Sequence, residues 1–209
     1  MARRNSEKSS GKPDVTKPRT QSYGSRLIAT RDEIQRFLIV CEGEKTEPNY
    51  FRKFRVPREV IEIHGTGYNT VSLIQEAIRL RDKVAGTNAA YDKVWCVFDH
   101  DSFPPDNINE AFKLAEEKTI QVAFSNEAFE IWYLLHFAYH ESALSRSQYK
   151  EKLTASLGCP YVKNSETIYE TLFNKQADAI RNAKKLPERA NPSTTVYKLV
   201  EELNRFLLR

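Results

Sequence analysis

Two acidic motifs close apolar runs in this chain. Glu42-Gly43 follows Arg36-Phe-Leu-Ile-Val-Cys41, and Asp99-His-Asp101 follows Tyr91-Asp-Lys-Val-Trp-Cys-Val-Phe98. Carboxylates are hard oxygen donors of the kind Mg²⁺ or Mn²⁺ prefers, and such an ion activates water or polarises a phosphate oxygen. Alternate residues of an extended segment face one way, so Asp99 and Asp101 can share a metal while His100 points elsewhere. Gly43 lets the backbone turn sharply, or approach a phosphate, directly after Glu42. An acidic pair alone also ends strands because it turns well in water. Its combination with Glu-Gly at the end of a second apolar run favours metal binding, with Glu42 as ligand or proton carrier.

Those motifs need elements to bring them together. The run before Glu42 is short and rich in branched residues, as a buried strand is. Thr46 can cap the helix that follows, Pro48 suits its first turn, and Tyr50, Phe51 and Phe54 give it a packing face. Val60–Ile63 reads as a second strand ended by His64 and Gly65, and Asn69–Val84 as an amphipathic helix. After the third strand, a helix over Asn107–Lys118 leads into a fourth strand, Ile120–Phe124. Four βα steps without a hairpin signal predict a parallel four-stranded sheet flanked by helices, with the strand ends on one rim where open α/β sheets bind ligands. Beyond it lie helices over Glu127–Phe137, Ser145–Leu157, Glu166–Lys185 and Ser193–Leu208, the last with Ser193 as its cap. The expected domains are a flexible basic arm over 1–25, an α/β domain over 33–140, and a helical extension over 141–209 packed on it.

Composition sets the class. Of 209 residues, 40% are apolar or aromatic and 29% charged, enough to bury a core without disulfides. Cys41, Cys96 and Cys159 are odd in number and far apart, which suits buried thiols better than a zinc set. The net charge of +4 is too small to establish nucleic-acid binding by itself. The start of the chain has no signal-peptide core and no apolar run reaches membrane-spanning length, so the expected location is the cytoplasm, away from membranes.

The arrangement of apolar strand, Glu42-Gly43, apolar strand, Asp99-x-Asp101 resembles the TOPRIM signature of topoisomerases, primases and OLD-type nucleases. More widely, FLIVCEGEKTEPNYF, VWCVFDHDSF, AFSNEAFEIWYLLHF and NPSTTVYKLVEEL resemble successive blocks of the RloB-like family, covering residues 35–205. The resemblance implies a TOPRIM-like fold, Asp99 and Asp101 as metal-binding aspartates, and Glu42 as the motif glutamate. It also implies a role in defence against phage or foreign DNA beside an AAA-type or ABC-type ATPase encoded nearby.

Further residues join these. Glu127 opens a helix after the fourth strand and can lie on the same rim, with Glu130 on its side at i+3; favourable charge at a helix N-terminus is the other reading. Glu44 shares the strand parity of Glu42. Lys45, Lys184, Lys185 and Arg189 are candidate phosphate contacts, although lone basic side chains also serve simply as solvated surface. His136 and His140 stand four apart without the glutamate of a zinc protease motif. The expected function is a Mg²⁺- or Mn²⁺-dependent nuclease acting on DNA or RNA through Glu42, Asp99, Asp101 and Glu127. The alternative is a non-catalytic nucleic-acid-binding or ATPase-docking subunit. No P-loop occurs, so ATP hydrolysis would belong to another chain, and homo-oligomerisation stays open.

Overall fold

Strand β1 (Phe37–Cys41) alternates its side chains between two buried layers, as a strand with both faces covered must. In the computed structural model Phe37, Ile39 and Cys41 join one core, while Leu38 and Val40 join the other. The structure describes residues 35–54, 61–68, 70–100 and 105–206. The basic arm over 1–25 and Asp101 lie outside the described residues.

Following β1 are α1 (Thr46–Phe51), β2 (Ile61–Gly65), α2 (Thr70–Lys83), β3 (Lys93–Asp99), α3 (Pro105–Glu117) and β4 (Gln121–Asn126). Then come α4 (Glu130–Leu135), α5 (Arg146–Leu157), α6 (Ile168–Leu172), a 3-10 turn (Phe173–Lys175), α7 (Gln176–Ala183), β5 (Ser193–Thr194) and α8 (Val196–Asn204). The sheet runs β2-β1-β3-β4-β5, with the first four strands parallel and β5 antiparallel to β4. Among the described residues, no helix is long and apolar enough to cross a membrane.

The expected four-stranded sheet is therefore five-stranded. Ser193, expected to cap the last helix, instead pairs with Asn126 in the sheet, and Thr194 pairs with Ser125. An open edge of β4 would leave backbone groups unpaired, and this segment satisfies them. The Thr195 amide donates to the Phe124 carbonyl (2.8 Å), and its hydroxyl accepts from the Phe124 amide (2.9 Å).

Other boundaries move for similar tertiary reasons. Thr46 does not cap α1; it is that helix's first residue, and its hydroxyl donates to Asn164 Oδ1 at 2.6 Å. The helix expected over Glu127–Phe137 starts only at Glu130, and the Phe129 amide just before it donates to Asp99. The single helix expected over Glu166–Lys185 is broken by the 3-10 turn. That break lets Tyr169 pack on Tyr50 and Phe54 while Gln176 donates to the Tyr50 hydroxyl. Helix α5 does begin after Ser145, whose capping box with Gln148 is complete.

Cys41 and Cys96 are buried thiols, whereas Cys159 is exposed. One layer packs α2 and α3 on the sheet through Leu73, Ile74, Ala77, Ile108 and Ala111. On the opposite face, α1, α4 and α6 meet around Tyr50, which lies edge-on to Phe51, Phe129, Trp132 and Tyr169. Helix α8 closes that layer with Val196, Leu199, Val200 and Leu203.

Gly65 ends β2 where the chain after β1 crosses it. A Cβ there would come within 2.8 Å of Glu44 Cα and the Gly43 carbonyl, both backbone atoms that cannot rotate away. Gly65→Ala is expected to cost about 1–3 kcal/mol in urea unfolding, through overpacking. An unchanged midpoint would mean that β2 can withdraw from the Gly43–Glu44 turn at no cost.

Candidate functional site

Strand order places a topological switch between β1 and β3: β2 lies to one side of that pair and β4 to the other. Open α/β sheets bind ligands at the carboxyl ends of the strands flanking such a switch. Glu42 follows β1 and Asp99 ends β3. The register pairs Cys41 with Val97, and the Glu42 amide donates to the Val97 carbonyl at 2.9 Å, so the two acids are held side by side. Glu42 Oε2 in turn accepts from the Asp99 amide at 3.1 Å.

Asp99 Oδ2 accepts from the Phe129 amide at 3.1 Å, whereas Oδ1 is sealed from solvent without a hydrogen-bond partner. Glu47, in the first turn of α1, is only 5% exposed, and its Oε2 is likewise buried and unpartnered. This carboxylate rests on Gly43, where a Cβ would fall 2.1 Å from Oε2, so a side chain there would have to displace it. A cleft of about 400 Å³ is bordered by Gly43, Glu47, Asp99, Glu130 and Lys163.

Like charges crowd this cleft. Burial, followed by Glu47, Glu130 and Glu42, pushes the Asp99 carboxyl up from its ordinary value, against the pull of the Phe129 amide. Burial also raises Glu47, to about 7, with Glu130 and Glu42 adding to the rise; its own backbone amide and Lys163 oppose it. Glu130 is held by the Tyr161 hydroxyl, which donates to Oε1 at 3.2 Å.

Of the acids singled out in the sequence, the structure brings Glu42 and Asp99 together, and it adds Glu47, which the sequence pattern did not single out. From the segment after β4, the carboxylate acting on Asp99 is that of Glu130, while half-buried Glu127 stands beside Tyr149. Glu44 and Lys45 are exposed on the cleft's border, the Glu44 side chain lying over Gly67. Lys184 pairs with Glu201, Lys185 sits over the Tyr139 ring, and Arg189 stacks 4.0 Å from the Phe112 centroid. His136 is buried, donates Nδ1–H to the Trp132 carbonyl at 2.8 Å, and is pushed down by burial to about 4, so it is a neutral core residue.

The family model for RloB-like protein matches residues 37–203. The chain belongs to the RloB-like family. No curated protein and no solved structure matches it. The matched span of this RloB-like chain contains every carboxylate of the cleft, and it extends through β5 to α8.

The donor set can be weighed against a cation. Glu42, Glu47, Asp99 and Glu130 are all oxygen donors, and the unpartnered oxygens of Glu47 and Asp99 suit a hard divalent ion. Among the described residues, no three acidic, histidine or cysteine side chains stand close enough to hold one ion together. A cation would therefore draw these side chains inward.

The raised Glu47 carboxyl has a consequence for stability in chelator. An acid whose pKa rises on folding binds its proton more tightly in the folded chain, so stability falls as pH climbs from 4.5 to about 7. The loss is of order 3 kcal/mol. Glu47→Gln removes its share, and urea midpoints between about pH 5 and 8 should decline less steeply than those of wild type. Parallel profiles would show that Glu47 ionises without penalty.

Proposed function

We propose that the chain is a Mg²⁺- or Mn²⁺-dependent nuclease with a TOPRIM-like catalytic fold, hydrolysing phosphodiester bonds of DNA or RNA in bacterial defence beside an ATPase partner. The observation that carries this reading is the placement of Glu42, Glu47, Asp99 and Glu130 around the β1/β3 switch, with two buried carboxylate oxygens unpartnered. Metal chemistry and family membership support the same reading.

In this mechanism Asp99 and Glu42 are the principal ligands, and Asp101, two residues beyond Asp99, is the third candidate from the sequence. The ion, when bound, would neutralise charge on the phosphate and lower the pKa of an attacking water. The protein's own groups do the rest. The Phe129 amide fixes one Asp99 oxygen and leaves the other buried and unpartnered. The Asp99 amide orients Glu42. Glu47 titrates near neutrality and can hold or release a proton there. The Tyr161 phenol, pushed up by burial and by Glu130, stays protonated and keeps Glu130 in position.

The second reading, a binding or docking subunit without chemistry, draws on the absence among the described residues of a preformed three-ligand cluster. Cleavage of mixed DNA and RNA substrates with Mn²⁺, alone and with the neighbouring ATPase, separates the two. Asp99→Asn is expected to lower cleavage by about 100-fold or more, the scale of a lost catalytic group, and to weaken Mn²⁺ binding in calorimetry. A folded wild-type protein that binds nucleic acid but cleaves nothing in either metal would leave the binding reading.

A further inference from the structure

The cleft carboxylates have a basic neighbour that the reading above does not use. A second cleft of about 480 Å³ shares Asp99, Glu130 and Lys163 with the first, and its lining adds Arg146 and Lys150. Arg146 and Lys150 are one turn apart on α5 and so project from one face of that helix. Lys163 borders both clefts and comes from the loop between α5 and α6.

That loop is fastened in place. Asn164 Oδ1 accepts from the Thr46 hydroxyl at 2.6 Å, and the Asn164 carbonyl accepts from Asn49 Nδ2 at 3.0 Å. Both partners lie on α1, the helix that carries Glu47. Three residues before Asn164, Tyr161 reaches Glu130. The loop thus spans from one acid of the cleft to the helix bearing another, with Lys163 between its two anchors.

These lysines lack the carboxylate partner that several other lysines have. Lys53, Lys184 and Lys198 are matched by Glu170, Glu201 and Glu188. Among the described residues, Lys150 and Lys163 have no ion-pair partner. Beside them Val162 is 65% exposed, an apolar surface on which a sugar or base can rest.

We propose that Lys150 and Lys163, with Arg146, form the seat for a nucleic-acid phosphate next to the carboxylate cleft. The inference rests on the nuclease reading for its choice of a polynucleotide. A diester phosphate seated there neutralises the lysines and presents the adjoining stretch of strand to Asp99 and Glu130. Lys45, Lys184, Lys185 and Arg189 are not needed for it. Asn164 is a positioning residue that sets Lys163 through α1.

The test is anisotropy of labelled single-stranded DNA and RNA oligonucleotides on the full chain in chelator, across a salt series. Each phosphate contact on a single strand contributes about 0.7 to the slope of log affinity against log salt. Lys150→Ala/Lys163→Ala is expected to reduce the slope by about 1.4 and weaken binding roughly 10-fold at moderate salt. Lys150→Arg/Lys163→Arg should keep the wild-type slope, and Asp99→Ala should bind at least as tightly as wild type. Thermal melting checks that the lysine variants fold. An unchanged affinity and slope in the alanine pair overturns the seat, as does a wild type that binds neither strand. Cleavage in Mn²⁺ is scored separately. Binding lost in the pair without wild-type cleavage keeps the seat and removes the nuclease reading, whereas cleavage with unchanged binding does the reverse.

Discussion

Asp99 is surrounded by three other carboxylates, and the backbone gives none of them an easy way to retreat. Hydrogen bonding of β1 to β3 fixes Glu42 beside Asp99. Close packing on Gly43 fixes Glu47, and Tyr161 holds Glu130. Taking ionised carboxylates out of water costs several kcal/mol each unless they are paired. Unlike an ordinary ion pair, this group sets Lys163 against Glu47, and that influence is weaker than those of Glu130 and Glu42. Protonation relieves the repulsion, which is the physical content of the upward shifts at Asp99 and Glu47.

A fold can carry such a cost only if the remainder is well packed. The aromatic layer around Tyr50 draws α1, α4 and α6 onto the same face of the sheet, and those helices bring Glu47 and Glu130 into place. Helix α8 completes that layer, and the strand before it caps the edge of β4. The segment after β4 is therefore structural support for the acidic cleft and also, through Tyr161 and Lys163, part of its lining.

Much of this was legible in the chain. Apolar runs ending in Glu-Gly and Asp-x-Asp gave β1, β3 and the positions of Glu42 and Asp99, because buried parallel strands are continuous in hydrophobicity and their ends are not. What escaped depended on tertiary geometry. Glu47 looks like any first-turn acid, a common feature of helix N-termini, and only Gly43 four residues earlier hints that its carboxylate turns inward. Glu127 and Glu130 are distinguished by the delayed start of α4, which leaves Glu127 before the helix and makes Glu130 its first residue. Two-residue β5 is too short for any periodicity to register. Lys163 sits in a loop, where no hydrophobic pattern fixes the direction of a side chain.

Protons and cations are alternative solutions to the same electrostatic problem. With no cation, the cleft lowers its charge by keeping Glu47 and Asp99 protonated further up the pH scale than free carboxyls. A divalent ion would do so more completely, but only by displacing those protons, so ion binding and proton release are linked and affinity rises with pH across the range where Glu47 titrates. Phosphate reverses the sign of the problem, since its approach to four carboxylates is repulsive until they are neutralised. Unpaired Lys150 and Lys163 at the border soften that approach without sitting in contact with the acids themselves. On the proposed nuclease reading the ordering would be electrostatic: neutralisation inside the acidic cleft, by cation, would come first, and a phosphate strand anchored on the basic border would then move over it.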